Sequence, residues 1–176
     1  MTSYIGSFAS SAVLPLVRIL GKSQSLSLLY GVDSDPVRVG VTEVIRDLKT
    51  LGITVKVITG DNMPVATSLT RKVLGYEPQV ITGKELHSIS NEALRSRANM
   101  IDVFAEIEPS QKERIIMALR QSGNTVGFLG DGINDASALH AADVGISVNS
   151  AVDIAKEAAA VVLLEGVCHC RAHLDP

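Results

Sequence analysis

The chain has 176 residues, of which 46% are hydrophobic and 20% charged, enough for one well-buried domain and too few for two large ones. Sixteen basic and nineteen acidic residues give a formal net charge of −3, which excludes the strongly basic surface of a nucleic-acid-binding protein. No apolar run approaches the ~18–20 residues that span a bilayer, so we expect a soluble chain without a signal peptide.

The N-terminal part of the chain is the hardest to assign. Its first 23 residues are rich in serine and suggest only a short helix followed by a turn. Apolar residues at 26–32 then predict a strand. Asp35 and Pro36 predict a helix start, because aspartate is a preferred N-cap and proline loses nothing at the first helical position. Helically spaced apolar residues follow, and Gly52 is typical of a helix end.

Short apolar strands and amphipathic helices alternate through the rest of the chain. The predicted strands span 53–58, 79–81, 103–105, 126–129, 144–148 and 161–164. The predicted helices span 64–75, 91–100, 110–121 and 152–158, with another beginning near Asn134. Repeated strand–helix–strand units with short connections predict an α/β fold. We expect a Rossmann-like three-layer sandwich, with a mainly parallel sheet and helices on both faces.

Polar residues stand where the carboxyl ends of such strands lie, which is where function gathers in an α/β sheet. Thr59-Gly60-Asp61 follows the strand at 53–58. A hydroxyl and backbone N–H groups beside a helix N-terminus suit a phosphoryl group, although the same tripeptide also forms ordinary turns. Lys112 opens a predicted helix, where a cation opposes the helix dipole. A phosphate nearby would account for it, and a solvated surface lysine is the alternative.

A second polar cluster, GDGIND at 130–135, leaves the strand that precedes it. Asp131, Asn134 and Asp135 offer hard oxygen ligands of the kind that suits Mg²⁺, which binds one or two carboxylates together with phosphate oxygens and water. The alternative is a Gly-Asp turn in which Asn134 or Asp135 caps a helix. The joint occurrence of both clusters favours a phosphate-and-magnesium site.

These motifs together resemble the phosphorylation domain of the P-type cation-transporting ATPases, which belongs to the haloacid dehalogenase superfamily. The resemblance rests on ITGDN (58–62), FAEIEPSQK (104–112), VGFLGDGINDASAL (126–139), ADVGISV (142–148) and DPVR (35–38). The whole stretch at 126–159 is most similar to the magnesium-importing subgroup. The resemblance implies a fold of haloacid dehalogenase type.

The resemblance also implies a function: ATP phosphorylates an aspartate, and hydrolysis of that acyl phosphate drives ion movement across a membrane. It implies that four residues hold and neutralise the transferred phosphoryl group: Thr59, Gly60, Asp61 and Lys112. It implies that three residues bind Mg²⁺ or support its site: Asp131, Asn134 and Asp135. The implied partners are ATP as phosphoryl donor and, in a full-length pump, the remaining domains and membrane helices, with this domain at the cytoplasmic face.

The family's nucleophile lies in an Asp-Lys-Thr-Gly-Thr stretch at the end of the central strand, and no such stretch occurs here. The nearest string, at 47–50, lies within helical apolar spacing. We therefore expect a partial domain that is inactive alone. Its sheet would have a gap unless residues 12–20 fill it, and Pro15 makes that segment a poor central strand.

Two other functions remain open. In a small haloacid-dehalogenase-type phosphatase, Asp33 would be the nucleophile and Asp35 the acid/base, since LLYGVDSD at 28–35 imitates a strand followed by Asp-x-Asp. Against this, Asp35 is already explained as a helix cap. The other function is that of a non-catalytic module that binds Mg²⁺ and phosphate.

The chain thus divides into an unassigned segment at 1–23, a partial phosphorylation domain at 24–165 and a tail at 166–176 that we expect to be disordered. The tail carries four closely spaced metal-binding side chains: Cys168, His169, Cys170 and His173. Zinc or copper could bind there, but an incidental tract is the favoured interpretation. The two cysteines exclude a disulfide framework and indicate a reducing, cytoplasmic setting.

Overall fold

The computed structural model describes residues 17–20 and 41–164, and for 17–20 it describes the backbone alone. Four of the predictions concern residues outside these ranges. They are the strand at 26–32, the helix start at Asp35 and Pro36, the phosphatase pair of Asp33 and Asp35, and the tail at 166–176.

The described part of the chain contains seven strands and seven helices, which alternate except where α4 follows α3 directly. The strands are β1 (Val17–Leu20), β2 (Thr54–Ile58), β3 (Val80–Thr82), β4 (Val103–Ala105), β5 (Thr125–Leu129), β6 (Val144–Val148) and β7 (Val161–Leu163). The helices are α1 (Val41–Thr50), α2 (Met63–Leu74), α3 (Gly83–Ser88), α4 (Asn91–Arg97), α5 (Pro109–Gln121), α6 (Ala136–Ala141) and α7 (Asp153–Ala158), and a 3₁₀ turn at Ile133–Asp135 precedes α6. Within these ranges no helix is both long and apolar enough to cross a membrane.

The strands form two sheets, with the orders β1-β5-β6-β7 and β2-β4-β3. The pairs β2–β4, β3–β4, β5–β6 and β6–β7 are all parallel. This confirms the predicted α/β class, with its mainly parallel, Rossmann-like sheet. The prediction of one continuous sheet differs from the structure at a single place: β1 contacts β2, but no ladder of hydrogen bonds joins them.

β1 comes from the segment that the sequence left unassigned. At residues 17–20 the structure shows a strand where the sequence suggested only a short helix and a turn, and the remainder of 1–23 lies outside the described residues. β1 pairs antiparallel with β5, Val17 opposite Phe128 and Leu20 opposite Thr125. Part of the segment at 12–20 therefore does occupy a strand position beside β5, as the hypothesis of a filled gap required.

Most predicted elements between residues 41 and 164 are confirmed within one or two residues. Gly52 and Gly75 follow α1 and α2 with φ values of 75° and 76°, the left-handed conformation that ends helices. Helix α3 was missed. Its start carries a capping box, in which the Thr82 hydroxyl accepts from the Glu85 N–H at 3.3 Å and the Glu85 carboxylate accepts from the Thr82 N–H at 2.8 Å.

The apolar residues sort into one large cluster and one small one. The large cluster lies around β4 and β5, where Phe104 and Phe128 are fully buried, and α5 covers it with Ile115, Ile116 and Leu119. The small cluster joins α1, α2 and the first half of β2. Its members are Val41, Ile45, Val55 and Val73. The large cluster positions the carboxyl ends of β4 and β5.

Lys56 is a charged side chain in the middle of β2 that is only 1% exposed. Its Nζ donates to the backbone carbonyls of Asn99 at 2.9 Å and Ile101 at 2.5 Å. The lysine thus provides a hydrogen-bond donor for two carbonyl oxygens in the segment that leads from α4 into β4. Burial lowers the pKa of Lys56 to about 8, with the charge of Asp102 opposing the effect.

The buried lysine predicts a pH dependence of stability. Because its folded-state pKa lies below the ordinary 10.5, the unfolded chain binds its proton more tightly. The burial penalty is present in full below pH 8 and disappears as the pH rises from about 8 to about 10.5. We expect the free energy of unfolding of the wild type to rise over this range relative to Lys56→Met, by at most about 3 kcal/mol, in urea titrations. A constant difference between the two proteins would contradict this.

Candidate active site

The loop after β2 is folded tightly on itself. Thr59 is 2% exposed, and its N–H donates to the Phe104 carbonyl at 2.9 Å, which continues the ladder between β2 and β4. Its hydroxyl donates to Asp61 Oδ2 at 2.8 Å and accepts from the Asp61 N–H at 3.0 Å. Gly60 between them is exposed. The Thr59 hydroxyl, which the sequence predicted to bind a phosphoryl group, therefore donates its proton to Asp61 in this structure.

The connection from β4 to α5 is bound to this loop. The N–H of Ile107 donates to the Thr59 carbonyl at 2.9 Å, and the N–H of Glu106 donates to the Asp61 carbonyl at 2.9 Å. Glu106 has a left-handed φ of 57°, and its carboxylate accepts from the N–H of Met63 at 3.0 Å. The start of α5 therefore has a fixed position relative to Thr59 and Asp61.

From the first turn of α5, Lys112 reaches the loop after β5. Its Nζ lies 2.7 Å from Asp135 Oδ1, and the two side chains are 13% and 5% exposed. The other oxygen of Asp135 accepts from the N–H of Gly132 at 3.1 Å. A lysine at this end of a helix needs a nearby negative charge. In this structure Asp135 supplies it, rather than the phosphate expected from the sequence.

Asp131 is the second carboxylate of this loop and lies in a different environment. Partial burial raises the pKa of Asp131 to about 6, and the negative charge of Asp135 adds to the effect. The charge of Lys112 and the backbone N–H of Asp131 itself oppose the rise. A cation bound beside this partly buried carboxylate would lower its pKa again.

The carboxylates of Asp131 and Asp135 fit a magnesium ion that takes its remaining ligands from phosphate and water. Asp131 and Asp135 are brought together, whereas Asn134 lies in the 3₁₀ turn with an exposed side chain. Between residues 41 and 164 no group of three His, Cys, Asp or Glu side chains is arranged to hold a metal ion. Mg²⁺ characteristically binds one or two carboxylates and completes its octahedron with phosphate oxygens and water.

Gly130 makes the tight turn of this loop possible. A Cβ at that position would lie 2.6 Å from the Cβ of Asp135 and 3.1 Å from a ring carbon of Phe128. The Gly130 carbonyl accepts from the buried hydroxyl of Ser147 at 2.9 Å, and the Asp131 carbonyl accepts from the Val152 N–H at 3.1 Å. Ser147 was not among the predicted site residues, although a polar residue within the apolar strand at 144–148 was a usable signal.

The predicted site residues therefore fall into two groups. Thr59, Gly60 and Asp61 form one, and Lys112 joins Asp131 and Asp135 in the other. In the described part of the chain no hydrogen bond or ion pair connects the two groups directly, so the connection between β4 and α5 is what relates them.

Comparison with known proteins gives a consistent result. Residues 9–143 match a family of hydrolases described as haloacid dehalogenase-like hydrolases. The chain is 47% identical over 131 residues to "Magnesium-transporting ATPase, P-type 1" of Salmonella typhimurium, which covers 74% of this chain and 14% of that protein. It is 39% identical over 149 residues to "Calcium-transporting ATPase type 2C member 2" of Homo sapiens, which covers 83% of this chain and 16% of that protein.

Solved structures agree with the sequence relatives. The catalytic domain of the CPx-ATPase CopB-B aligns with a TM-score of 0.54 at 27% identity, over 76% of this chain and 43% of that one. A zinc-transporting PIB-type ATPase in the E2.Pi state aligns with a TM-score of 0.52 at 27% identity, over 71% of this chain and 16% of that one. The chain thus spans about one seventh of the length of the curated magnesium-transporting relatives it matches.

The contact between Gly130 and Asp135 can be tested by adding one methyl group. We expect Gly130→Ala to lower the free energy of unfolding by about 2 kcal/mol, because the Asp135 side chain has to move. Gly60→Ala is the matched control, since a Cβ there meets only the Ile107 carbonyl at an ordinary 3.7 Å. Urea unfolding measures both variants, and equal losses of stability would show that the 2.6 Å contact has no special weight.

Proposed function

This chain belongs to the haloacid dehalogenase-like hydrolases, and we propose that it serves as a partial phosphorylation domain of a P-type cation-transporting ATPase, binding Mg²⁺ and a phosphoryl group. The observation that carries the proposal is the group formed by Lys112, Asp135 and Asp131 at the carboxyl end of β5. One carboxylate of this group is paired with the lysine, and partial burial raises the pKa of the other to about 6, with the negative charge of Asp135 adding to the effect.

The roles of the chain's own residues follow from this arrangement. Asp131 would bind Mg²⁺, which when bound supplies the charge that neutralises phosphate oxygens. Asp135 keeps the Lys112 side chain aimed at the loop after β5, and its second oxygen holds the Gly132 N–H. Asn134, exposed in the 3₁₀ turn, would reach the metal through water.

The Thr59 group would bind the phosphoryl oxygens. The N–H of Gly60 and the hydroxyl of Thr59 lie at the carboxyl end of β2, where backbone donors suit an anion. Since the Thr59 hydroxyl now donates to Asp61, binding of a phosphoryl oxygen requires that proton to turn away from Asp61. The Thr59 hydroxyl would thus donate to Asp61 when the site is empty and to the phosphoryl group when one is bound.

The finer parts of the proposal concern the whole pump. We propose that the transported ion is Mg²⁺, supported by the 47% identity to a protein named as a magnesium-transporting ATPase. ATP would be the phosphoryl donor, and the remaining pump domains and membrane helices would be the partners of this domain at the cytoplasmic face. The same domain boundaries, 24–165 with flanking segments at 1–23 and 166–176, are part of the proposal.

The chain alone should lack turnover. The acyl phosphate needs a nucleophilic aspartate in an Asp-Lys-Thr-Gly-Thr stretch, and the sequence contains none. Loss of a nucleophile removes the covalent step even when the groups that stabilise charge remain in place.

The raised pKa of Asp131 predicts a stability difference that can be measured without turnover. At pH 7, well above the pKa of about 6, the charged Asp131 destabilises the fold, so Asp131→Asn is expected to be more stable than the wild type by about 1 kcal/mol after solvent screening. The sign follows from linkage, since the folded chain binds this proton more tightly than the unfolded one. The penalty therefore develops between about pH 4 and pH 6.

Mg²⁺ should reverse that order. Millimolar Mg²⁺ is expected to raise the melting temperature of the wild type and to leave Asp131→Asn unchanged. Asp153→Asn serves as the control, since that carboxylate is 90% exposed and pairs only with Lys156 among the described residues. An equal Mg²⁺ response of all three proteins would remove Asp131 from the metal site.

Catalytic competence is tested by incubating the chain with Mg²⁺ and either radiolabelled ATP or an aryl phosphate. We expect no acid-stable protein label and no released phosphate. Asp33→Asn and Asp131→Ala accompany the wild type. Turnover abolished by both substitutions would instead identify a self-sufficient phosphatase with Asp33 as nucleophile.

A further inference from the structure

A cavity of about 310 Å³ lies between α1 and α2, and we call it the α1–α2 cavity. Its volume is that of a small-molecule site. It lies at the amino end of β2, where Thr54 begins the strand, whereas Thr59 follows the other end of that strand. The rise along the strand separates Thr54 from Thr59 by roughly 17 Å. The α1–α2 cavity is therefore remote from the candidate active site.

The floor of the α1–α2 cavity is apolar and belongs to the core. Ile45 of α1, Val55 of β2 and Val73 of α2 line it, and all three are members of the small apolar cluster. Ile53, which precedes β2, also lines the floor and is buried. The hydrocarbon part of a ligand placed on these side chains would leave water, which favours binding in proportion to the apolar area removed from water.

Three cationic side chains also line the α1–α2 cavity: Arg46 and Lys49 from α1, and Lys72 from α2. Residues 46 and 49 are three positions apart and so are neighbours on one face of their helix. The ammonium group of Lys49 lies 5.7 Å from the centre of the Tyr76 ring, which lines the α2 side. No Asp or Glu is among the described residues that line this space. The cavity therefore combines an apolar floor with positive charge.

The helix dipoles explain only part of this charge. A cation in the last turn of a helix is favourable, and Lys49 and Lys72 hold such positions in α1 and α2. Arg46 precedes the last turn of α1, and its guanidinium is a rigid fork of donors that matches the oxygens of a carboxylate or a phosphate. Like charges around one cavity repel one another, and a ligand that carries more than one negative charge relieves this repulsion.

We propose that the α1–α2 cavity binds an organic phosphate. A phosphate monoester carries between one and two negative charges at pH 7 on three strongly accepting oxygens, which suits cations that come from two helices. Its apolar body lies on the floor formed by Ile45, Val55 and Val73. The inference goes beyond the proposed function, because it involves neither Mg²⁺ nor any residue of the candidate active site.

The test uses the whole chain and 1-naphthyl phosphate, in the presence of EDTA so that no metal-dependent site contributes. Isothermal titration calorimetry is expected to give a dissociation constant of about 0.1–1 mM. Inorganic phosphate and uncharged 1-naphthol should each bind more weakly by at least about tenfold, because the first lacks the apolar body and the second lacks the charge. Equal binding of 1-naphthol and 1-naphthyl phosphate would overturn the proposal, since the cations would then contribute nothing.

Charge variants separate the local effect of the lining cations from that of the net charge. Arg46→Gln and Lys72→Gln should each weaken binding of 1-naphthyl phosphate by about fivefold. Lys84→Gln is the matched control, since this lysine of α3 does not line the cavity and the substitution changes the net charge equally. All three side chains are exposed, so we expect every variant to fold. An equal loss of affinity in all three variants, or in none of them, contradicts the proposal.

Amide chemical shifts locate the ligand independently of any variant. Saturation of the wild type with 1-naphthyl phosphate should shift the amide signals of residues 45–49, 53–55 and 72–76 and leave those of residues 130–135 unchanged. Shifts confined to 59–61 and 130–135 would place the phosphate at the candidate active site and overturn the inference. Absence of saturable binding up to about 10 mM ligand would overturn it as well.

Discussion

The ion pair between Lys112 and Asp135 is the interaction on which the site depends. It joins the start of α5 to the loop after β5 across two nearly buried side chains. Removal of one partner of such a buried pair leaves an uncompensated charge, at a cost of about 3–5 kcal/mol. Gly130 leaves the space for Asp135, and the hydroxyl of Ser147 holds the Gly130 carbonyl. Lys112, Gly130 and Ser147 therefore all contribute to holding the Asp135 carboxylate in position.

The same ion pair explains why two neighbouring aspartates differ. Asp135 forms an ion pair with Lys112 and accepts from the Gly132 N–H, whereas Asp131 forms no ion pair in the described part of the chain and partial burial raises its pKa to about 6. The two carboxylates thus differ through their environment and not through their residue type. From the sequence motif at 130–135 alone, Asp131 and Asp135 are equivalent candidate ligands. The ion pair with Lys112 distinguishes Asp135.

Local patterns in the sequence predicted most of the fold, because each depends on neighbouring residues. The apolar spacing of α1 and α2 and the glycines that end them are of this kind. Helix α3 was missed because its six residues are too few to show a period, although its capping box was legible. The direction of β1 was beyond reach, since four residues without alternation do not specify which strand they pair with or in which sense.

The candidate site was predicted as a set of residues but not as a set of contacts. The identity of Thr59, Lys112 and Asp131 followed from motifs, whereas the bond of Lys112 to Asp135 joins residues 23 positions apart. Lys56 shows the same limit, because its carbonyl partners lie 43 and 45 positions away. Contacts between residues so far apart in the sequence depend on how whole helices and strands pack together, and local residue spacing does not predict that packing.

The separation of the apolar residues into two clusters bears on cooperativity. Four buried residues, Val41, Ile45, Val55 and Val73, attach α1 to β2 and α2 together with the partly buried Leu48 and Leu74, whereas the large cluster holds most of the buried apolar side chains. A helix held by so small a cluster opens at a lower free energy than the global transition. We therefore expect the α1 side of β2 to open as a unit of its own while the loop bearing Asp131 and Asp135 stays native.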